Sequence, residues 1–198
     1  VRGRDIGSFG AEARAAIAEA VVLPPGYLLT FGGQFELAQA ANRRLAVVVP
    51  ITVLLIFGML FASFNSVREA LLIVLNIPLA MVGGLLALLV AGLNLSVPAS
   101  VGFIALFGIA VANGVVLITY INQLRVEEGL SVREAIERGA ALRFRPVLMT
   151  ATATGFGLVP LLLASGPGSE VQRPLAVVVI GGLVTSTALT LLVLPVLY

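Results

Sequence analysis

The chain has 198 residues, of which 59% are apolar and 11% charged, with a net charge of +2. Soluble domains carry about 25% charged residues, so an ordinary water-soluble enzyme is excluded, and so is a disordered chain, whose signature is the reverse. There is no Cys, His, Trp or Lys, so thiol catalysis, structural zinc, disulfides and imidazole acid–base chemistry have no side chains to work with.

Residues 1–44 differ in composition from the rest of the chain. Ser8 to Val22 is Ala-rich, with charges at Glu12, Arg14 and Glu19, and predicts a helix with one wet face. Leu23-Pro24-Pro25-Gly26 breaks it, and Tyr27 to Phe31 reads as a short strand ended by Gly32-Gly33. With an extended Val1–Arg4 and a polar helical lead-in over Gln34–Arg44, this is at most a β-α-β piece. It is too small to bury a core alone, and it reads as the end of a larger external domain.

From residue 45 onward the charges are segregated. Five stretches, 45–64, 70–93, 97–121, 146–164 and 174–198, contain none of the 22 charged residues. About 20 apolar residues span the hydrocarbon core as a helix. These runs are apolar on every face rather than alternating, which predicts five transmembrane helices and no barrel. The whole is expected to be an all-α transmembrane bundle of five spans with a small α/β remnant ahead of it. Because the chain opens on Val1 and closes in apolar sequence at Tyr198, it is expected to be a fragment.

The linkers carry helix-start signals. Ser66-Val67-Arg68-Glu69, Ser131-Val132-Arg133-Glu134 and Ser169-Glu170-Val171-Gln172 each read as a capping box. The second opens an interfacial helix over about 131–142, with Glu134 and Arg138 four residues apart. Its stripe of Val132, Ala135, Ile136 and Ala140 suits a membrane surface. Arg68 and the group Arg125, Arg133, Arg138, Arg143 and Arg145 fall in one set of loops, against Arg43, Arg44 and Arg173 on the other side. The positive-inside rule then puts the first set in the cytoplasm, residues 1–44 outside and Tyr198 inside.

Inside the spans no Asp, Glu, Lys, Arg or His is present. The polar inventory includes Asn76 beside Pro78, Asn113, the run Thr150, Thr152 and Thr154, and Thr185-Ser186-Thr187. Asn113 lies near mid-helix, where an amide needs a partner. It is a candidate for bonding a titrating carboxylate elsewhere in a bundle, the alternative being helix–helix glue. The Thr150 hydroxyl has a local alternative in its own i−4 carbonyl. Gly83-Gly84, Gly102, Gly108 and Gly181-Gly182 are expected to let helices approach closely. Pro78, Pro160 and Pro195 are expected to interrupt or kink their helices. No phosphate loop, cofactor motif or metal-ligand cluster is present: Met59, Met81 and Met149 are the only sulfurs and lie far apart. The Arg residues are not grouped with stacking aromatics, so nucleic acid is not an expected partner.

Several segments carry a family resemblance: Val1-Arg2-Gly3-Arg4-Asp5, Gly32-Gly33-Gln34-Phe35-Glu36, Val101 to Leu106, Arg145-Pro146-Val147-Leu148-Met149-Thr150, and Glu170-Val171-Gln172-Arg173-Pro174-Leu175. Together with Gly181-Gly182 and Thr185-Ser186-Thr187 they resemble the C-terminal part of a heavy-metal efflux permease of the resistance–nodulation–division superfamily. The resemblance implies a multi-pass inner-membrane transporter of twelve helices, of which this chain supplies the last five, residues 1–44 ending a periplasmic porter domain. It implies a secondary active antiporter rather than an enzyme, exchanging protons for divalent metal ions. The implied partners are the missing N-terminal half, two further copies in a homotrimer, a periplasmic adaptor, an outer-membrane channel and membrane lipid.

A Lys of the tenth helix in the multidrug branch, and a Glu in the copper and silver branch, fall at Ala112 here. Ala112-Asn113-Gly114 therefore looks more like the cobalt–zinc–cadmium branch. Arg143 and Thr150 match positions implicated in proton coupling, and join Asn113 as candidates. The resemblance places the proton-carrying acids and the metal site outside this chain, so the piece alone is expected to be inactive. The competing readings are an exporter of drugs or lipophilic compounds and an accessory of protein export.

Overall fold

A computed structural model describes residues 6–21, 24, 34–166 and 168–198. Among them are six α-helices: α1 (Ile6–Ala20), α2 (Gln34–Phe64), α3 (Val67–Val90), α4 (Val97–Glu127), α5 (Val132–Leu162) and α6 (Ser169–Leu197). The chain divides into two compact units, Val1–Pro50 and Ile51–Tyr198.

In the first unit α1 starts and ends two residues before the expected helix. The predicted strands at Val1–Arg4 and Tyr27–Phe31 lie outside the described residues. The polar lead-in Gln34–Arg44 forms the first turns of α2, which runs on without a break through Pro50.

In the second unit α6 is the hub, packing against α3, α4 and α5, while α3 packs on α4 and α4 on α5. The core sets small residues against large ones: Ala80, Ala99, Ala110, Ala176 and Val178 are fully buried beside Ile73, Leu106 and Leu117. Helices free of bulky side chains at their crossings approach closely, and close packing is what holds helices together where lipid removes the hydrophobic drive. By length and composition α3, α4, α6 and residues 39–64 of α2 suit a membrane crossing. The fourth expected span, 146–164, is not among these. It forms the second half of α5, where Thr150, Thr152, Thr154, Gly155 and Gly157 dilute its hydropathy.

That same helix corrects another expectation. The segment over 131–142 is not a separate surface helix but the first part of a continuous α5. Arg143, Phe144 and Arg145 are a break in hydropathy and not in helical propensity, and Pro146 removes one backbone donor without ending the helix. The apolar stripe lies partly on its neighbour: Ala135 is buried in one cluster with Ile121 and Leu124 of α4, and Ile136 packs against that cluster. Pro50, Pro78, Pro160, Pro174 and Pro195 likewise stand inside helices.

The three Ser starts differ from one another. Ser131 and Glu134 form the complete reciprocal box. Ser66 caps α3 by accepting from the Glu69 amide at 3.4 Å, but the Glu69 carboxylate is taken by the Asn122 amide at 2.7 Å and does not return. The third expected box is absent: Gly168 is the N-cap, at φ 93°, and the Ser169 hydroxyl donates to Gly166 O at 2.8 Å. A left-handed φ at the cap position suits Gly and moves Ser169 one residue into the helix. A Ser cap unnoticed in the sequence starts α4, where Ser96 Oγ accepts from Ala99 N at 3.4 Å. The expected Glu134–Arg138 pair is also replaced, because Glu134 is held by Ser131. Arg138 instead reaches Glu128 at 2.6 Å, and Arg133 pairs with Glu137 at 3.0 Å.

Candidate functional site

The packing glycines set the spacing at the centre of the bundle. A Cβ on Gly83 would overlap the Thr185 side chain, one on Gly181 would overlap Ala87, and one on Gly182 would overlap Leu106. A Cβ on Gly84 would lie 2.6 Å from Phe103 Cε1, and one on Gly102 3.0 Å from the Leu175 carbonyl oxygen. Five of the six named glycines thus sit where α3 and α4 close on α6 or on each other. Gly108 differs, since it faces open space on α4 with nothing within 4 Å.

Within this tight centre lies an uncharged polar layer. Asn76 of α3 donates from Nδ2 to Thr190 Oγ1 of α6 at 2.8 Å, and both residues are buried. Gly114 brings α4 against the same place, a Cβ there falling 3.3 Å from Ile73 and 3.7 Å from Asn76 Nδ2. Asn113, next to Gly114, is buried, and its Nδ2 has no hydrogen-bond partner. Ser186 Oγ and Thr187 Oγ1 of α6 are buried and unpartnered as well. Buried donors are normally satisfied, so each of these orphans marks a place where water or further groups are to be expected. Thr187 also lines an apolar groove of about 450 Å³ between α5 and α6, with Leu148, Phe156, Val184 and Leu191.

The other two coupling candidates lie apart from this layer. Arg143 of α5 holds its guanidinium carbon 4.4 Å from the centroid of the Tyr120 ring of α4, and its buried Nε has no partner. Thr150 is exposed, and its hydroxyl donates to Pro146 O at 3.0 Å, taking the local i−4 alternative. No hydrogen bond links Asn113, Arg143 and Thr150 among the described residues.

A second polar network lies at the end of the bundle where Arg68, Arg125 and Tyr198 meet. Arg68 donates to Tyr198 O and Arg125 to Tyr198 Oη, each at 3.0 Å. The Tyr198 hydroxyl donates to Asn122 Oδ1, and the Asn122 amide binds Glu69. Arg68, just inside α3, and Arg125, near the end of α4, therefore meet at Tyr198, the C-cap of α6. Asn122 and Thr190 are the members of these networks that sequence reasoning missed. Thr190 lies one turn beyond Ser186 on α6, and that i,i+4 repeat was the available signal.

Outside the spans, Glu134 has its carboxyl held below the ordinary carboxylate range by hydrogen bonds from the Ser131 hydroxyl and the Ser131 amide. Among the described residues no group of three or more His, Cys, Asp or Glu stands close enough to hold a metal ion.

Among the described residues an all-helical bundle, notched by glycine and carrying polar but uncharged side chains, has four helices long and apolar enough to cross a membrane. The chain belongs to the AcrB/AcrD/AcrF family, whose model matches residues 1–198. It is 57% identical over 198 residues to the cobalt-zinc-cadmium resistance protein CzcA of Cupriavidus metallidurans, with all of this chain and 18% of that protein covered. It is 50% identical over 197 residues to the nickel and cobalt resistance protein CnrA of the same organism, again covering 18% of it. Protein HelA of Legionella pneumophila is 57% identical over 198 residues, 19% of its length. Among solved structures, a heavy metal efflux pump superposes with a TM-score of 0.83 at 49% identity, all of this chain covering 20% of that one. The chain thus spans about a fifth of the length of the relatives it matches.

Proposed function

We propose that the chain supplies the C-terminal helices of a proton-driven inner-membrane exporter of divalent heavy-metal ions. The observation that carries the reading is the orphaned Asn113 amide, buried next to Gly114, which approaches Asn76, in a bundle whose five charge-free stretches hold no Asp, Glu, Lys, Arg or His. A polar centre without a titrating group suits helices that pack against acids supplied by another part of the permease. Protonation there changes the charge balance, shifts helices and drives the porter domain. Asn113 and Thr150 are the polar groups, and Arg143 the cation, that answer those acids. The similarity to proteins named for cobalt, zinc, cadmium and nickel resistance supports metal ions over drugs as cargo.

In this reading residues 146–164, the second half of α5 and the two residues after it, cross the membrane as the fourth of five spans, the Thr and Gly content suiting a helix enclosed by protein. Residues 1–44 end a periplasmic porter domain, and the Arg68–Arg125–Tyr198 end faces the cytoplasm. The permease works as a homotrimer with a periplasmic adaptor and an outer-membrane channel, and the metal site and proton-carrying acids lie outside these residues. Alone, the 198-residue piece is inactive.

The test is Asn113→Leu in the whole permease. Metal resistance and proton-driven zinc uptake into everted vesicles fall while protein abundance is unchanged. Wild-type resistance in that variant removes Asn113 from the mechanism, and zinc uptake that survives a protonophore removes the antiport reading.

A further inference from the structure

Arg143 has an unusual position among the charged residues of α4 and α5. The acids at that end are each engaged elsewhere: Glu127 accepts from Gln123 at 2.9 Å, Glu128 from Arg138 at 2.6 Å, Glu134 from Ser131, and Glu137 from Arg133 at 3.0 Å. Arg143 has no carboxylate partner among the described residues and rests instead on a ring, 4.4 Å from the Tyr120 centroid. That separation lies well inside the roughly 6 Å range of a cation–π contact.

The backbone places the two groups together. Gly139, one turn before Arg143, is buried against Ile121 of α4, where a Cβ would fall 2.9 Å from Ile121 Cγ1. The close crossing brings α5 within reach of the Tyr120 face. Tyr120 is seven residues beyond Asn113, two turns along the same side of α4 and about 10.5 Å further on at 1.5 Å per residue.

An aromatic support differs chemically from a carboxylate. A carboxylate would fix the guanidinium but neutralise it and occupy its in-plane donors. A ring face attracts the cation through its quadrupole and leaves the edge donors free. We infer that Tyr120 is the positioning residue of Arg143: its ring holds the guanidinium charged, oriented and with unspent donors, ready for a carboxylate from outside the described residues. The inference rests on the reading of Arg143 as a coupling residue and adds to it a residue on the neighbouring helix.

The experiment uses the whole permease in proteoliposomes, with zinc as the transported probe and an imposed pH gradient. Tyr120→Phe, which keeps the ring and loses only the hydroxyl, retains the rate within about twofold. Tyr120→Leu removes the ring and lowers the maximal rate about three- to tenfold, the span expected for a partly desolvated cation–π contact. The zinc KM stays unchanged, because the ring does not touch the metal. Tyr120→Met makes the same comparison with a side chain of closer length, should the Leu variant not accumulate. Equal rates for the Phe and aliphatic variants overturn the inference, as does a loss appearing wholly in KM. Arg143→Gln separates the two levels. If it is impaired while Tyr120→Leu is not, Tyr120 alone is removed; if it transports at the wild-type rate, the reading of Arg143 falls and Tyr120 with it.

Discussion

Thr190→Val tests whether the buried polar layer holds the bundle together. The change keeps the side-chain shape and removes the oxygen that accepts the Asn76 Nδ2 hydrogen bond at 2.8 Å. Asn76 is 3% exposed and Thr190 0%, so no solvent is available to replace the lost acceptor. In a water-soluble protein an orphaned buried donor costs about 1–3 kcal/mol. Between membrane helices the unfolded reference also finds partners, which reduces such bonds to about 0.6–2 kcal/mol. The expected loss is therefore about 1–2 kcal/mol, roughly a 5- to 30-fold drop in the folded-to-unfolded ratio. Asn76→Leu in addition removes the stranded amide, so the double variant recovers part of the loss instead of adding to it. The assay is the fraction of α3–α6 that stays folded across graded SDS, followed by circular dichroism for the single and double variants. Additive losses, or no loss for Thr190→Val, would refute the argument that this bond is desolvated and structural.

Two further outcomes concern the glycines. Gly181→Val drives a branched side chain into Ala87 and the Gly83 carbonyl and costs at least about 1–3 kcal/mol. Gly108→Ala meets open space and gains up to about 1 kcal/mol of helix propensity; yield of monodisperse protein in detergent distinguishes the two. The last concerns Glu134, whose folded-state pKa lies below its ordinary value of 4.5 through its bonds to Ser131. A depressed carboxylate contributes stability that is present above the unfolded pKa and lost as pH falls through the folded one. Amides at the start of α5 therefore lose protection from hydrogen exchange as pH drops below 4.5, after correction for the intrinsic exchange rate. Ser131→Ala removes that dependence.

Four of the expected spans were legible because charge is sharply excluded from them, and they fall in helices long and apolar enough to cross a membrane; 146–164 is helical only through Leu162 and is not among these. What the charge map could not show was continuity. Arg143 and Arg145 divide α5 into two elements by hydropathy, whereas the backbone responds to propensity and hydrogen bonding and passes through them. The candidate site was legible in composition and not in pairing. Asn76 and Asn113 stood out as amides in apolar sequence, but nothing local indicates that Asn76 meets Thr190, 114 positions away. The Arg143–Tyr120 contact was hidden for a related reason, since an aromatic partner leaves no charge pattern to find. Capping was half legible: a Ser with Glu or Gln three residues later marks a helix start, but the Glu69 carboxylate is diverted by a residue on α4 and the Ser169 motif by a left-handed Gly168.

The central place of α6 has a consequence for biogenesis. Of these six helices it emerges last from the ribosome, yet α3, α4 and α5 each pack against it. Until it arrives, the notch at Gly83 stands empty and the Asn76 amide has no Thr190 hydroxyl to bind. α6 acts as a keystone: α3 can meet α4, and α4 can meet α5, before it, but the Gly83 notch fills and the Asn76 amide is satisfied only once it is in place.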